Sequence, residues 1–479
     1  MESFDLLIVG GGINGTAIAR DAAGRGLRVL LVERDDLAQH TSSASSKLIH
    51  GGLRYLEYYQ FRLVREALRE REILLHTAPH IVRPLRFVLP LGEGMRRWWT
   101  IRAGLWLYDL LGFGSSLPRS RATRDRALRA PLRAGIGGLF SYWDAWVDDA
   151  RLVALNAVDA ARRGATILTR TALLSGRREG GVWRATLSDG RAVAARAIVN
   201  AAGPWVAEVL GTRLREDAAS KVRLIKGSHI VVPRLFEGGH AYILQQPDGR
   251  VVFAIPYERE FTLIGTTDIA VARPEDAAID AGEQDYLRAA ASLYFERPIA
   301  ADAIVWSYSG VRALHDDGAA DAKAVTRDYR LELDDDPGAK LLSVFGGKIT
   351  TARALAEEAL AKLGVPGAPW TAQAALPGGE DGSAFAAPDW LPDATAERLR
   401  RGYGTLAEKV VAGAESVAGL GRDFGSGLSE AEIAYLRAHE FARTADDILW
   451  RRTKLGLHMT AAQRDAVAEW MGSLGENDG

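Results

Sequence analysis

Apolar residues along this chain fall in short runs that stop at glycine, and the first such run opens it. Residues 4–9 are apolar but for Asp5 and end at Gly10, the pattern of a buried strand. Gly10-Gly11-Gly12-Ile13-Asn14-Gly15 fits G-x-G-x-x-G; an alanine-rich helix is predicted over 16–24 and a second strand over 27–32, ending at Glu33. Residues 197–200 and 341–345 read as further buried strands. The first runs into Ala201, Ala202, Gly203, Pro204 and Trp205. The second runs into Gly346, Gly347 and Lys348, with a helix predicted over 350–363. Residues 242–246 and 251–255, joined through Pro247-Asp248-Gly249-Arg250, carry a hairpin signal. Within 95–111, Trp98, Ile101, Leu105 and Tyr108 recur at helical spacing.

Each part of the opening unit has a mechanical reason. Gly10 makes the tight turn, Gly12 lets the backbone approach a pyrophosphate, and Gly15 lets helix and strand pack closely. The helix N-terminus around Asn14 offers free N–H groups and a positive dipole to phosphates, and Glu33 can accept from ribose hydroxyls. This unit takes NAD or FAD alike. The later turn separates them: 346–348 aims a second helix N-terminus, at Thr350, toward the site, which suits a flavin whose reduced form is negative near N1. Ala201, Gly203 and Trp205 stand at a strand end, where open α/β sheets bring the backbone to a ligand.

Composition narrows the partners. The net charge of −1 gives no global field for nucleic acid. With no cysteine, disulfides, thiolate metal ligands and a flavin tethered through sulfur are excluded, so FAD is expected to bind non-covalently and no metal site is expected. No run approaches the roughly 20 apolar residues of a membrane span, and Met1 to Asp5 lead straight into a strand, so a cytoplasmic chain without signal peptide is expected. Lysine is scarce beside arginine, yet Lys47, Lys226 and Lys348 all fall in motif segments.

Thr41-Ser42-Ser43-Ala44-Ser45-Ser46-Lys47-Leu48-Ile49-His50-Gly51-Gly52-Leu53-Arg54-Tyr55 is the most distinctive stretch. With the opening glycine motif it resembles the flavin-wrapping region of respiratory, FAD-dependent glycerol-3-phosphate dehydrogenases of the D-amino-acid-oxidase-like superfamily. Further matches are Tyr142-Trp143-Asp144, Asp149-Ala150-Arg151, Ile225-Lys226-Gly227-Ser228-His229, Gly265-Thr266-Thr267-Asp268, Ser309-Gly310-Val311-Arg312 and 446–453. The chain departs at Ala313, where that family usually has proline. The resemblance implies an α/β fold: a Rossmann-type FAD-binding domain, an antiparallel β-sheet substrate-capping domain and a C-terminal α-helical domain. We place these at 1–75, 145–215 and 305–365 for the discontinuous flavin domain, 76–144 and 216–304 for the cap, 366–382 for a linker and 383–479 for the helical domain. It also implies glycerol 3-phosphate as substrate, electron transfer to membrane quinone, and attachment to an anionic lipid surface on the cytoplasmic face of the inner membrane; a homodimer is left open.

The chemistry needs cations for a phosphate dianion, a flavin face for the C2 hydride and an acceptor for the hydroxyl proton. By resemblance Arg54, Arg312 and Lys348 bind the phosphate or steady the developing oxyanion, with Tyr55 beside them; forked arginines suit phosphate oxygens. His229 is the candidate general base. His50 competes for that role, although its place beside Gly51, Gly52 and Leu53 assigns it to the flavin, and Arg312 could polarise the oxygen directly. Ser42, Ser43, Ser45 and Lys47 are expected on the pyrophosphate or the flavin ring, some of the serines instead capping the next turn. The 95–111 helix, with Arg96, Arg97 and Arg102, is the membrane-contact candidate. Competing readings are a flavin oxidase passing electrons to oxygen from glycerol 3-phosphate or an amino acid, a membrane-docked flavin protein without turnover, and an NAD-dependent dehydrogenase.

Overall fold

The computed structural model describes all residues except 93–96, 217–221, 316–327, 336–337, 381–384 and 477–479. Two sheets organise it. The first has eight strands, its main path running Arg330–Asp334, Lys340–Phe345, Ala192–Asn200, Glu2–Val9, Val29–Val32 and Thr166–Leu168. From Lys340–Phe345 to Thr166–Leu168 the pairing is parallel. Parallel strands must be covered on both faces, which is why these read as unbroken apolar runs. The helices Ile13–Gly24, Asp149–Arg162 and Ala352–Leu363 cover one face; Trp183, Leu210, Leu214 and their neighbours cover the other.

The second sheet has ten strands and is mostly antiparallel, its path running from Ile269–Ala270 through Val222–Pro233, Phe261–Gly265, Val251–Tyr257, His240–Gln245, Val82–Pro90 and Leu139–Val147 to Leu48–Ile49. The hairpin read at 242–255 lies in it, with Ile243 opposite Phe253. The domain bounds drawn from sequence differ here. Trp306–His315, placed at the head of the last flavin segment, pairs along Val222–Pro233 from Val222↔His315 to Val231↔Trp306. The stretch 76–144, placed with 216–304 in the cap, supplies the strands Val82–Pro90 and Arg121–Thr123 and most of Leu139–Val147 to the same sheet, the last strand running past the bound at 144.

The 95–111 helix spans Trp98–Leu111; Met95 and Arg96 lie outside the described residues. Ile101, Leu105 and Tyr108 point into the core beneath the second sheet, so these three of the residues recurring at helical spacing form this helix's inner face. Of the stretch 366–382, the described residues are packed on the rest of the chain. Leu376 N donates to Thr77 O at 2.8 Å, and the guanidinium of Arg163 lies 4.1 Å from the Trp370 ring.

The C-terminal helices Asp393–Tyr403, Glu430–His439 and Ala461–Glu476 are fastened by buried ion pairs. Arg452 forks onto Asp36 with both contacts at 2.8 Å, Arg151 onto Glu440, and Lys454 pairs with Asp148. Such pairs lock relative orientation more than they add net stability.

Candidate active site

A cavity of about 490 Å3 runs between the sheets from Glu33 and Trp205 to Arg312 and Lys348. Glycines shape its first end. A Cβ on Gly10, whose φ is +113°, would meet the Ala201 carbonyl oxygen at 2.5 Å, and one on Gly15 would meet the Gly10 oxygen at 1.9 Å. Gly15 is thus buried beneath the turn, packing helix on strand, and does not line the cavity. Glu33 Oε2 accepts from Gly11 N at 2.6 Å and Oε1 from Asp35 N at 2.9 Å. Burial pushes its carboxyl above the ordinary value, and each oxygen keeps a second acceptor site for a ribose hydroxyl. The Arg34 guanidinium lies 4.0 Å from the Trp205 ring at the same end.

The serine-rich segment divides its labour differently from the sequence reading. Ser42 Oγ accepts from Ile13 N at 3.0 Å, capping the glycine-motif helix while it lines the cavity. Ser43 faces away, donating to His40 O at 3.3 Å. Ser45 also lines the cavity, but its hydroxyl donates to Asp149 Oδ2 at 2.7 Å. Lys47, expected on the cofactor, is 1% exposed and donates to both Asp149 oxygens at 2.9 and 2.8 Å. A buried Asp149 demands a counter-charge, and Lys47 supplies it; burial holds the ammonium below its usual pKa. Gly51 is likewise off the cavity, its N–H given to Tyr108 Oη at 2.9 Å.

Gly12, Asn14, His50, Gly52, Leu53, Ala201, Gly203, Gly346, Gly347, Lys348 and Thr350 do line it. Asn14 Nδ2 donates to Gly346 O at 3.1 Å, joining the two glycine turns across most of the chain. A Cβ on Gly347 would meet that amide at 2.5 Å. The donor set, from the glycine-motif helix to the second glycine turn, fits an extended dinucleotide cofactor such as FAD.

Arg54, Tyr55, His229, Arg312 and Lys348 all line this cavity. Lys348 Nζ lies 4.2 Å from the Tyr55 ring centre. Lys348 Nζ and Arg54 Nε are buried with no hydrogen-bond partner among the described residues. Buried cationic donors left in this state call for an anion. Arg312 Nη1 donates to Asp268 Oδ1 at 2.6 Å.

His229 is 2% exposed. The register puts Tyr308, His229 and Gly265 in one row across three strands. The imidazole stacks on Tyr308 with 4.9 Å between centroids, and a Cβ on Gly265 would meet the imidazole at 2.0 Å. Gly227 makes room in the same way for Thr266 and Arg312. His229 Nε2 lies 2.8 Å from Ser46 Oγ, and Nδ1 is buried without a partner among the described residues. Burial, then the Lys47 and Arg312 cations, hold the imidazole neutral to well below its usual pKa. An unfolded histidine protonates near pH 6.5 and the folded one only well below, so the stability gained by keeping it neutral is present above about 6.5 and lost as pH falls. Between pH 6 and 5, wild-type unfolding free energy should fall faster than that of His229→Gln, by up to about 1.4 kcal/mol per pH unit. Parallel denaturant titrations check this; identical slopes would contradict it.

Sequence reasoning missed four residues. Asp268 stood unassigned in the 265–268 motif, Asp149 in the 149–151 motif and Ser46 among its serines. Glu283 carried no signal: from the helix Ala281–Ser292 it accepts from Ser228 Oγ at 2.8 Å, Thr267 Oγ1 at 2.7 Å and Lys226 Nζ at 2.8 Å, bracing the strands behind His229 and Arg312.

Residues 5–361 match the family described as FAD dependent oxidoreductase, and 369–477 match the C-terminal domain of alpha-glycerophosphate oxidase. The chain is 52% identical to a D-erythritol 1-phosphate dehydrogenase of Brucella abortus, covering 98% of both chains. It is 51% identical to a glycerol-3-phosphate dehydrogenase of Pseudomonas aeruginosa, over 98% of this chain and 96% of that one. The glycerol-3-phosphate dehydrogenase of Bacillus halodurans, solved in complex with FAD, superposes with a TM-score of 0.75 at 27% identity, covering 98% of this chain and 90% of its own.

Proposed function

Since the chain belongs to the FAD-dependent oxidoreductases with a glycerophosphate-oxidase C-terminal domain, we propose that it oxidises sn-glycerol 3-phosphate to dihydroxyacetone phosphate. One observation supports the reading: Arg54, Arg312 and Lys348 line the same cavity as a neutral His229 and the glycine motif. FAD, once bound, supplies the ring that takes the hydride from C2. The protein's own residues do the rest. Arg54 and Lys348 hold the phosphate, Arg54 Nε and Lys348 Nζ gaining the acceptors they lack among the described residues. Arg312 steadies the developing oxyanion, and His229, neutral at physiological pH, accepts the hydroxyl proton. An amino-acid substrate needs one carboxylate clamp; three cations suit a dianion better.

The four-carbon homologue is a second reading, favoured by the 52% identity to the D-erythritol 1-phosphate dehydrogenase. The same clamp and base serve either substrate. Comparing kcat/KM for the two phosphates decides: a higher value for glycerol 3-phosphate upholds the proposal, and the reverse reassigns the substrate.

The electrons are passed to membrane quinone at the cytoplasmic face of the inner membrane. No described helix is long and apolar enough to cross a membrane, but the outer face of Trp98–Leu111 offers another mode of contact. Trp99 is 75% exposed, with Trp106, Leu110 and, just beyond, Phe113 at 81%. Exposed aromatic residues beside Arg97 suit the interface of an anionic bilayer. Changing Trp99, Trp106 and Phe113 together to serine should abolish co-sedimentation with anionic vesicles without loss of bound flavin. Undiminished sedimentation would rule this face out.

A further inference from the structure

Among the serines of residues 41–46, Ser46 is the one whose hydroxyl meets the imidazole. Ser42 caps a helix, Ser43 bonds His40 O and Ser45 bonds Asp149, whereas Ser46 Oγ lies 2.8 Å from His229 Nε2. Ser46 is half-buried on the cavity wall, while His229 is 2% exposed. Nδ1 is sealed away without a partner among the described residues, so Nε2 is the nitrogen that can exchange a proton with the cavity. The Ser46 hydroxyl already occupies it.

Resting on the reading of His229 as base, we propose that Ser46 relays the proton from the substrate C2 hydroxyl to His229. The substrate O–H bond breaks as its proton goes to Ser46 Oγ, and the Ser46 proton passes to His229 Nε2. The freed oxygen electron pair forms the C2=O bond while the C2–H pair leaves as hydride to the flavin. The substrate thus loses one proton and one hydride; the imidazole gains the proton and the flavin the hydride.

The surroundings hold Ser46 for this task. On one side, Ser45 N and Oγ both donate to Asp149 Oδ2, at 3.2 and 2.7 Å. On the other, Lys47 takes a left-handed φ of +58° and is buried against the same carboxylate. Tyr308, whose ring stacks on the imidazole, donates its hydroxyl to Ser45 O at 2.8 Å. Asp149, Lys47 and Tyr308 are therefore positioning residues for a serine–histidine pair whose members come from the segment before Leu48–Ile49 and from the strand Val222–Pro233.

The test is stopped-flow flavin reduction by glycerol 3-phosphate without oxygen, in mixtures of light and heavy water, with Ser46→Ala, Ser46→Thr and His229→Ala holoenzymes. Ser46→Ala should reduce its flavin on the order of 10²-fold more slowly. Its flavin content and half-saturating substrate concentration should change little. The wild-type dependence on deuterium fraction should be curved, two protons moving together, and should become linear in Ser46→Ala; Ser46→Thr, which keeps the hydroxyl, should restore most of the rate. Wild-type speed in Ser46→Ala, a linear wild-type dependence, or Ser46→Thr as slow as Ser46→Ala would overturn the relay. Loss of flavin from Ser46→Ala would overturn it too, making Ser46 a cofactor contact. A fast His229→Ala would sink the base itself, whereas a slow His229→Ala beside a fast Ser46→Ala would sink only the relay.

Discussion

His229→Ala is expected to slow anaerobic flavin reduction by about 10²–10⁴-fold while FAD stays bound. The two halves of that expectation rest on different parts of the structure. The imidazole lines the cavity, stacked on Tyr308 over the space that Gly265 leaves, and is held neutral by burial and by Lys47 and Arg312. The groups fitted to the dinucleotide, from Gly10 and Glu33 to Gly346 and Gly347, belong to the first sheet and its turns. Removing the ring takes away the proton acceptor without touching them. An unchanged reduction rate, measured by stopped flow, would show that His229 is not the base and would leave Arg312 with a water molecule to take the proton.

Arg312→Ala should lower kcat/KM by roughly 10²–10³-fold, the ~2.7–4 kcal/mol typical of removing one donor to a developing oxyanion, with KM raised and kcat depressed. Part of that loss comes from Asp268. With Arg312 present, the 2.6 Å contact offsets the carboxylate charge; without it, the Asp268 charge works against the developing oxyanion. Asp268→Asn added to Arg312→Ala should therefore recover some activity, a non-additivity expected of groups in direct contact. No recovery would mean that the Asp268 charge is not felt by the substrate. Loss of flavin from Arg312→Ala would reassign the arginine to structure.

The opening strand, glycine turn and helix were legible because their pattern is local: Gly15 is dictated by the Gly10 oxygen a few residues back, although Gly10 itself is dictated by the distant Ala201 carbonyl. The cationic cluster was legible because each member sits in a compact motif. Sheet membership was not. Trp306–His315 pairs with a strand some 80 residues earlier, and no local pattern announces that partner. Which face of Trp98–Leu111 turns inward is not legible for a related reason: both faces are apolar, and only tertiary packing of Ile101, Leu105 and Tyr108 decides it. Lys47 looked like a ligand for phosphate because its counter-ion, Asp149, is 102 residues away. The proline- and glycine-rich stretch 366–382 has a linker's composition, yet Trp370 and Leu376 tie it to the first domain.

The most direct test is to mix the purified flavoprotein with glycerol 3-phosphate in the absence of oxygen and follow the flavin absorption band, with D-erythritol 1-phosphate, glycerol and D-alanine alongside. Rapid bleaching by glycerol 3-phosphate, ahead of the four-carbon phosphate and with glycerol and D-alanine inert, is the expected result. A flavin that stays oxidised with glycerol 3-phosphate, or bleaches only with one of the others, would contradict the assignment.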